Sequence, residues 1–491
     1  MSHLFKNNNK FIYKFFILLI LSGILLLTYL GYQNYSSNKI NYLSFSIISN
    51  FLIFFAIRKD VIFFETFFSL LLWLGFWFKL TCTIVLSDGV FREGVGTFDY
   101  SPNSFDKVLF VSQIGIISFI ISGYFRQFLL FKYPEKLKLP NLKKNFFLFS
   151  RNKIWMIYIL FFITVAFINF YFKIYQKGLL PIYDINFLIS GTFKWLLLFG
   201  MAAFSATLVF YEFSFYKKFF LMSVFIILFE TFVTSFSMLS RGMIFNAIAL
   251  LYGIYKFSKK IGKPNNLGYY MKSFLLIFIL FYISVSSVNY LRSNFFYVGK
   301  SAEFVKMLYD KKKFEDDDQK IMSIRHNNSE IIFLLINRWV GIDGVMAVVS
   351  KKELLSYPFL ISSFQERAKA DSPTFYELTF GLESINTYDN ELYENVKGNT
   401  LPGILAFLYY GGSYFILFIG IFILSIVASC IEYLSFRLSS NNLIFSSLIG
   451  QVIAFRFIHF GYLPHQSYLL FGTIILTILF IYVLGICSRE N

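Results

Sequence analysis

The sequence predicts an all-α polytopic integral membrane protein with about twelve transmembrane helices. Of its 491 residues, 57% are hydrophobic and only 15% are charged. A soluble domain of this size could not cover that much apolar surface. Hydrophobic runs of about 17 to 25 residues recur along the chain, which is the length a helix needs to cross ~30 Å of hydrocarbon. Only one long polar segment, 291–403, interrupts this pattern.

The predicted spans follow one another from the N-terminus. The first comes after Lys6, Lys10 and Lys14 and has no small-residue cleavage site, so we interpret it as an uncleaved span and not as a signal peptide. The stretch 404–435 is expected to begin with a partial turn around Gly411 and Gly412. The spans are placed near 15–32, 40–57, 61–86, 108–131, 154–172, 195–211, 219–239, 243–257, 273–290, 404–435, 444–463 and 468–486.

The distribution of basic residues predicts the orientation of these spans. The formal net charge is +17, and most of the excess lies in short connections such as 132–153 and 256–272. Basic connections stay in the cytoplasm, so both termini are predicted to be cytoplasmic. The positive charge therefore indicates topology and contact with membrane lipid, and no nucleic-acid partner is expected. The three cysteines have no metal-ligand spacing and predict no disulfide framework.

This topology places the polar segment 291–403 outside the cytoplasm, between the ninth and tenth spans. The chain then divides into a nine-span region, 1–290, the large extracytoplasmic loop, 291–403, and a three-span region, 404–491. Within the loop, apolar residues at helical spacing predict an amphipathic helix near 331–355. A long loop on one membrane face, against short loops on the other, is where we expect function to lie.

Ionisable residues in or beside spans are expensive to bury and are therefore candidates for function. Arg241 lies at the tip of a tight hairpin between the seventh and eighth spans. Arg456 and His459 are three residues apart on the eleventh span, hence on one helical face, and His465 follows them. By contrast, Glu65, Lys79 and Glu230 are predicted to form structural ion pairs or helix-packing contacts.

The long loop adds further candidates. Arg292 follows the ninth span, and Arg338 interrupts the predicted amphipathic stripe, where a guanidinium could reach phosphates. Glu377 is one of several carboxylates that could act as a general base. The acidic run 315–318 lacks the pattern of a calcium loop and is interpreted as a solvated patch. No soluble-enzyme motif occurs, and no metal or cofactor is expected.

Three short strings resemble segments of the O-antigen and capsule repeat-unit polymerases, the Wzy family. They are Met238-Leu239-Ser240-Arg241-Gly242, then Ile336-Asn337-Arg338-Trp339-Val340-Gly341, and finally Leu401-Pro402-Gly403-Ile404 followed by Leu408-Tyr409-Tyr410-Gly411-Gly412. The general plan, with many spans and a large outer loop in the C-terminal half, is similar as well. The resemblance covers most of the chain as architecture, but only the Arg241 and Pro402-Gly403 strings have much value as motifs.

The resemblance implies a membrane glycosyltransferase of the GT-C type in the bacterial cytoplasmic (inner) membrane. Such an enzyme polymerises undecaprenyl-diphosphate-linked oligosaccharide repeat units on the outer face, with a chain-length regulator protein as an expected partner. Arg241, Arg338, Arg292 and Arg456 are the candidates for binding the substrate diphosphate. Arg241, Arg338, His459 and Glu377 are the candidate catalytic residues. His465 is a further candidate for the general base, and the sequence does not choose among these bases.

Two other functions remain open at the level of sequence. A glycan ligase would share this architecture and differ only in its acceptor. A flippase or exporter of lipid-linked oligosaccharides would also suit twelve spans, although transporters usually show internal repeats and short loops, and we find no repeat here. A structural membrane scaffold is disfavoured by the arginines gathered on one face.

Overall fold

The computed structural model describes most of the chain and leaves out parts of the long polar segment. The described residues are 2–87, 89, 91, 95–137, 144–176, 186–215, 220–262, 275–280, 282–284, 286–288, 291, 336–367, 374–381, 401–461 and 464–487. Within them, all regular secondary structure is helical. In chain order the helices are α1 Ser2–Asn34, α2 Lys39–Ile57, α3 Phe63–Ser87, α4 Pro102–Leu130, α5 Lys144–Phe172, α6 Phe187–Phe215, α7 Phe220–Ser237, α8 Ile244–Lys260, α9 within Leu275–Val288, α10 Ile342–Ser350, α11 Tyr357–Phe364, α12 Gly403–Leu408, α13 Tyr414–Leu438, α14 Leu443–Ile458 and α15 Pro464–Cys487.

Seven of these helices are long and apolar enough to cross a membrane, by length and composition: α2, α3, α4, α5, α6, α13 and α15. Four shorter apolar helices, of 10 to 17 residues, lie within α1, α7, α9 and α14. The prediction of a polytopic, all-helical membrane protein is therefore confirmed for the described residues. Each predicted span falls on a helix, and the number twelve stays a prediction.

The break predicted at the start of the tenth span is present. Helix α12 is followed by a 3₁₀ turn, Tyr409–Gly411, and Gly412 then adopts the left-handed conformation with φ +67°. A β-carbon at Gly412 would lie 2.8 Å from the carbonyl oxygen of Leu355. Glycine tolerates both the positive φ and the close approach to Leu355, so the chain turns there before α13 begins at Tyr414.

The helix predicted over 331–355 is not continuous, which corrects the sequence interpretation. Residues 331–335 lie outside the described residues, Ile336 and Asn337 are helical, and the chain then leaves the helix until α10 begins at Ile342. Every residue from Ile342 to Val349 is buried, so these residues of α10 present no solvent-exposed face. Burial on all sides is the mark of a packed helix and not of an interfacial amphipathic one.

The helices group into two compact units. Unit one comprises residues 1–133, 330–430 and 453–471, and unit two comprises 134–329, 431–452 and 472–491. Unit one thus combines N-terminal helices with part of the long polar segment and part of the C-terminal region. The predicted division into 1–290, 291–403 and 404–491 is a division along the chain, and it stays a prediction.

A buried charge cluster joins α2, α3 and α4 in unit one. The Glu65 carboxylate accepts hydrogen bonds from Arg126 at 2.9 and 2.6 Å and from Arg58 at 2.6 Å. Both Glu65 and Arg126 are at most 1% exposed. Burial lowers the pKa of Arg58, and the adjacent Glu65 carboxylate opposes that shift. The prediction that Glu65 forms a structural ion pair is confirmed.

Unit two is held by side chains that join its helices. Arg151 of α5 pairs with Glu212 of α6 at 2.6 Å, and the indole of Trp155 donates to the same carboxylate oxygen at 2.7 Å. Gly253 of α8 packs on the backbone of α14, where a β-carbon would lie 2.8 Å from Cα of Ile444. Such close backbone contact through a small residue is typical of helix packing in membranes.

Candidate functional site

A buried lysine of α3 binds the short turn between Asn337 and α10. The Lys79 ammonium lies 3.0 Å from the Asp343 carboxylate, and its side chain is 0% exposed. It also donates to the backbone carbonyls of Asn337 and Trp339, each at 3.0 Å. Asp343 in turn accepts from the backbone N–H of Gly341 at 3.3 Å. One ion pair and three hydrogen bonds thus hold this turn.

Glycines allow the turn to approach its neighbours at the level of the backbone. A β-carbon at Gly75 of α3 would collide with the Val340 carbonyl oxygen, and one at Gly341 would collide with the Gly75 carbonyl oxygen. A β-carbon at Gly344 would collide in the same way with the carbonyl of Pro402. Because backbone atoms cannot move aside as flexible side chains can, these three positions accept only glycine without a shift of the segment.

The Pro402-Gly403 turn is the point where this segment meets the end of α14. Gly403 has φ +70°, and a β-carbon there would lie 3.0 Å from the Ile458 carbonyl oxygen and 3.8 Å from the Val340 side chain. On the far side of the turn, Gly461, with φ +93°, packs against the rings of Pro402 and Phe407. Unit one therefore brings together the 336–350 segment, the Pro402-Gly403 turn and the α14–α15 connection.

Four of the predicted candidates belong to the segments that meet here. Arg338 is exposed, in the turn held by Lys79. Arg456 is half-buried on α14, and its Nε donates to the Ser467 hydroxyl of α15 at 2.8 Å. His459 follows the last residue of α14, stacked on Phe455 with ring centroids 4.1 Å apart, and His465 is half-buried at the start of α15.

The His459 ring has a defined orientation. Its Nδ1 lies 2.8 Å from the carbonyl oxygen of Phe455. Since a carbonyl only accepts hydrogen bonds, this contact requires the proton on Nδ1, which makes Nε2 the basic nitrogen of the neutral ring. The ring can then accept a proton through Nε2.

Glu377 belongs to a neighbouring part of unit one and caps a helical turn. Its carboxylate accepts from the backbone N–H of Thr374 at 2.7 Å, and its own N–H donates to the Thr374 hydroxyl at 3.1 Å. This reciprocal pair is a capping box. Glu377 is 3% exposed. At least one oxygen of the predicted general base is therefore engaged in holding the backbone.

Glu366 is bound to the same turn. Its carboxylate accepts from the backbone N–H of Phe375 at 2.6 Å. Burial raises the pKa of Glu366, the nearby Glu377 raises it further, and the Phe375 N–H opposes the shift. An aromatic cluster packs beside these carboxylates, with Phe359 4.9 Å from Phe375 and 5.4 Å from Tyr410 between ring centroids.

Arg241 belongs to unit two. It begins a 3₁₀ turn, Arg241–Met243, that leads into α8, and it is half-buried. The preceding hairpin is tight, because Leu239 has φ +51° and the Ser240 N–H donates to the Ser235 carbonyl at 2.9 Å. Arg292 lies outside the described residues, so its predicted role is not addressed by the structure.

The sequence interpretation missed the contribution of Lys79, Gly75 and Asp343 to this site. Lys79 was predicted to form a structural ion pair, and it does, but its partner in the long polar segment was not foreseen. The sequence signal for this contact was a lysine within an apolar span, four residues after a glycine.

The assembled groups suit an anionic ligand. An exposed guanidinium on a restrained turn, such as that of Arg338, can bind phosphate oxygens through two parallel hydrogen bonds. An imidazole, such as that of His459, can accept a proton. Within the described ranges, no group of three His, Cys, Asp or Glu side chains is placed to hold a metal ion. No family model, curated protein or solved structure matches this chain. Function is therefore inferred from the residues and the geometry above.

Proposed function

We propose that this protein is a membrane glycosyltransferase that polymerises lipid-linked oligosaccharide repeat units of an O-antigen, a capsule or a similar surface polysaccharide. A hydroxyl of one undecaprenyl-diphosphate-linked unit attacks the anomeric carbon of the growing glycan. The bond from that carbon to its diphosphate breaks, and undecaprenyl diphosphate leaves with the electron pair. The hydroxyl proton passes to a base of the protein.

One observation carries the proposal. In unit one, the turn that holds Arg338 and the end of α14, with Arg456 and His459, meet at Gly403. Two of the strings that resemble the repeat-unit polymerases, Ile336–Gly341 and Leu401–Ile404, lie at this meeting point. The guanidinium of one segment and the imidazole of the other offer the two functions the reaction needs, a cation for the leaving diphosphate and an acceptor for the hydroxyl proton.

The residues take distinct roles in this proposal. Arg338 and Arg456, both in unit one, neutralise the diphosphate of a lipid substrate, a task that guanidinium groups can perform without a metal. Arg241 and Arg292 are proposed for diphosphate binding from the sequence alone. His459 is the preferred general base because its Nδ1 contact leaves Nε2 as the basic nitrogen. Glu377 is the less favoured base because its carboxylate caps the Thr374 turn.

The proposed setting is the bacterial inner membrane. Twelve spans, with both termini in the cytoplasm, would place 291–403 on the outer face, where diphosphate-linked units are presented. Seven helices of spanning length and four shorter apolar helices account for eleven of these spans. The remaining one, near 243–257, falls on α8, Ile244–Lys260. The energy for each transfer comes from the diphosphate–sugar bond of the substrate, so no nucleotide site is needed.

A reconstituted reaction tests the proposal. The purified protein in nanodiscs is given the undecaprenyl-diphosphate-linked repeat unit of its host, without nucleotide, and the products are sized on a gel. We expect a ladder of glycans that Arg338→Ala and Arg241→Ala each reduce by about 10²-fold or more, as the loss of one charge-stabilising donor does. Arg367→Ala is the matched control, because Arg367 is also an exposed arginine of the long polar segment.

Each other outcome has a defined meaning. A ladder that neither arginine variant changes would keep the activity and refute these diphosphate sites. No ladder from folded protein and authentic substrate would refute the polymerase. Transfer of the glycan to an added lipid acceptor would then identify a ligase, and movement of the intact lipid-linked unit across a vesicle membrane would identify a flippase.

A further inference from the structure

Lys79 contacts the backbone on both sides of Arg338. Its ammonium donates to the carbonyl of Asn337 and to the carbonyl of Trp339, the two residues that flank the arginine. Asp343, by contrast, binds Lys79 itself and the N–H of Gly341. The Arg338 side chain is exposed, whereas the backbone on either side of it is bound by Lys79.

The burial of Lys79 would be costly without these partners. An ammonium with 0% exposure in an apolar helix loses its hydration and must recover it from fixed acceptors. Asp343 alone would neutralise the charge, but it would leave two of the three ammonium hydrogens unsatisfied. The carbonyls of Asn337 and Trp339 supply the remaining two acceptors, so the backbone conformation of the turn and the burial of Lys79 depend on each other.

The local shape of α3 favours this contact. A π-helical turn, Trp73–Phe78, directly precedes Lys79. Gly75, within that turn, lets the Val340 carbonyl approach the helix backbone. Glycine and lysine together form a docking surface for residues 337–343, which we call the α3 dock. π-Helical turns of this kind are frequent at functional sites.

We infer that Lys79 is a positioning residue for Arg338, which it orients toward the diphosphate of the lipid-linked substrate. The catalytic part of this inference rests on the proposed function, whereas the docking of residues 337–343 by Lys79 does not. Lys79 itself has no access to substrate, because its ammonium is enclosed by Asp343 and the two carbonyls. Its effect on the reaction must therefore pass through Arg338.

A double-mutant cycle measures that dependence. Lys79→Met is combined with Asp343→Asn, so that no lone carboxylate is buried, and the pair is assayed with and without Arg338→Ala. We expect the pair to lower kcat/KM by about tenfold or more in the parent protein and to have almost no further effect beside Arg338→Ala, as coupled residues behave. Equal losses in both backgrounds would overturn the inference. Lys194→Met, which removes a lysine of α6 that contacts Tyr175, is the matched control.

A second variant perturbs the same turn sterically, without removing its ion pair. Gly75→Ala leaves Lys79 and Asp343 intact but places a methyl group against the Val340 carbonyl. We expect the same loss of activity and the same dependence on Arg338. Gly472→Ala, in helix α15 at a position with nothing within 4 Å of the added carbon, should leave activity unchanged. Full activity of Gly75→Ala would contradict the α3 dock.

Limited proteolysis separates this inference from the proposed function, because it needs no substrate. Trypsin cleaves after arginine only where the backbone can open, and mass spectrometry reports the peptide that ends at Arg338. We expect cleavage after Arg338 to be about tenfold faster in Lys79→Met/Asp343→Asn and in Gly75→Ala than in the parent or in Lys194→Met. Unchanged cleavage would refute the dock even if the protein polymerises glycans. Faster cleavage in a protein without polymerase activity would keep the dock and refute only the function.

Discussion

Gly403 turns with φ +70° directly against Ile458, whose carbonyl oxygen lies 3.0 Å from the place a β-carbon would take. Two independent constraints, the positive φ and the close backbone, therefore require glycine at this one position. The turn is also where the Arg338 segment and the end of α14 meet. The stability of the site should accordingly depend on this residue.

Gly403→Ala is expected to destabilise the protein by about 1–3 kcal/mol, which is the usual cost of one strained backbone position. The thermal unfolding midpoint in detergent measures the effect. Gly472→Ala adds the same methyl group in open surroundings and should leave the midpoint unchanged. A Gly403→Ala protein as stable as the parent would show that the turn relaxes without cost.

The Glu65 cluster gives a prediction about buried and exposed ion pairs. Arg126→Met removes one of the two arginines that bind the buried Glu65 carboxylate and leaves Arg58, and we expect a loss of about 3–5 kcal/mol in stability. Lys132→Met breaks an exposed pair with Asp60, 3.8 Å long, and should cost less than about 1 kcal/mol. Thermal unfolding of the two variants side by side checks the contrast. Similar losses for both would mean that burial of the cluster contributes little.

The choice between His459 and Glu377 as general base is open to a direct test. His459→Gln should lower kcat by about 10²- to 10⁴-fold, the usual contribution of a general base. Glu377→Gln keeps an oxygen that can accept from the Thr374 N–H, so it should retain both fold and activity. Rates of glycan extension by the two purified variants decide the matter. An inactive but normally stable Glu377→Gln protein would reverse the assignment.

Glu366 predicts a pH dependence in the segments 356–367 and 374–381. Because burial raises the pKa of its carboxyl in the folded protein, protonation favours the folded state. This contribution is complete below the ordinary carboxyl pKa and is lost as the pH rises through the raised pKa. Proteolysis of these segments should accordingly become faster as the pH increases across that window.

Glu366→Gln is expected to abolish this dependence, since an amide does not titrate and its oxygen can still accept from the Phe375 N–H. Proteolysis is followed at a series of pH values, with the rate on an unfolded reference substrate as the correction for the protease itself. The same pH dependence in parent and variant would assign it to another group.

The sequence by itself determined the class of this protein and the positions of its long apolar helices. Length and hydropathy are local properties, and a run long enough to cross hydrocarbon must satisfy its own backbone as a helix. The break at Gly411 and Gly412 was also predictable, because glycines are a local turn signal. The need of Glu65 and Lys79 for partners was predictable because burying a charge is costly wherever it occurs.

The tertiary structure alone decided which partners meet. The carbonyls that bind Lys79 lie 258 and 260 residues further along the chain, a separation that no local pattern constrains. These contacts also explain why the helix predicted near 331–355 stops at Asn337: the carbonyls of Asn337 and Trp339 satisfy a buried ammonium of α3. Hydrophobic periodicity records which residues avoid water, whereas the end of a helix depends on which distant groups compete for its backbone.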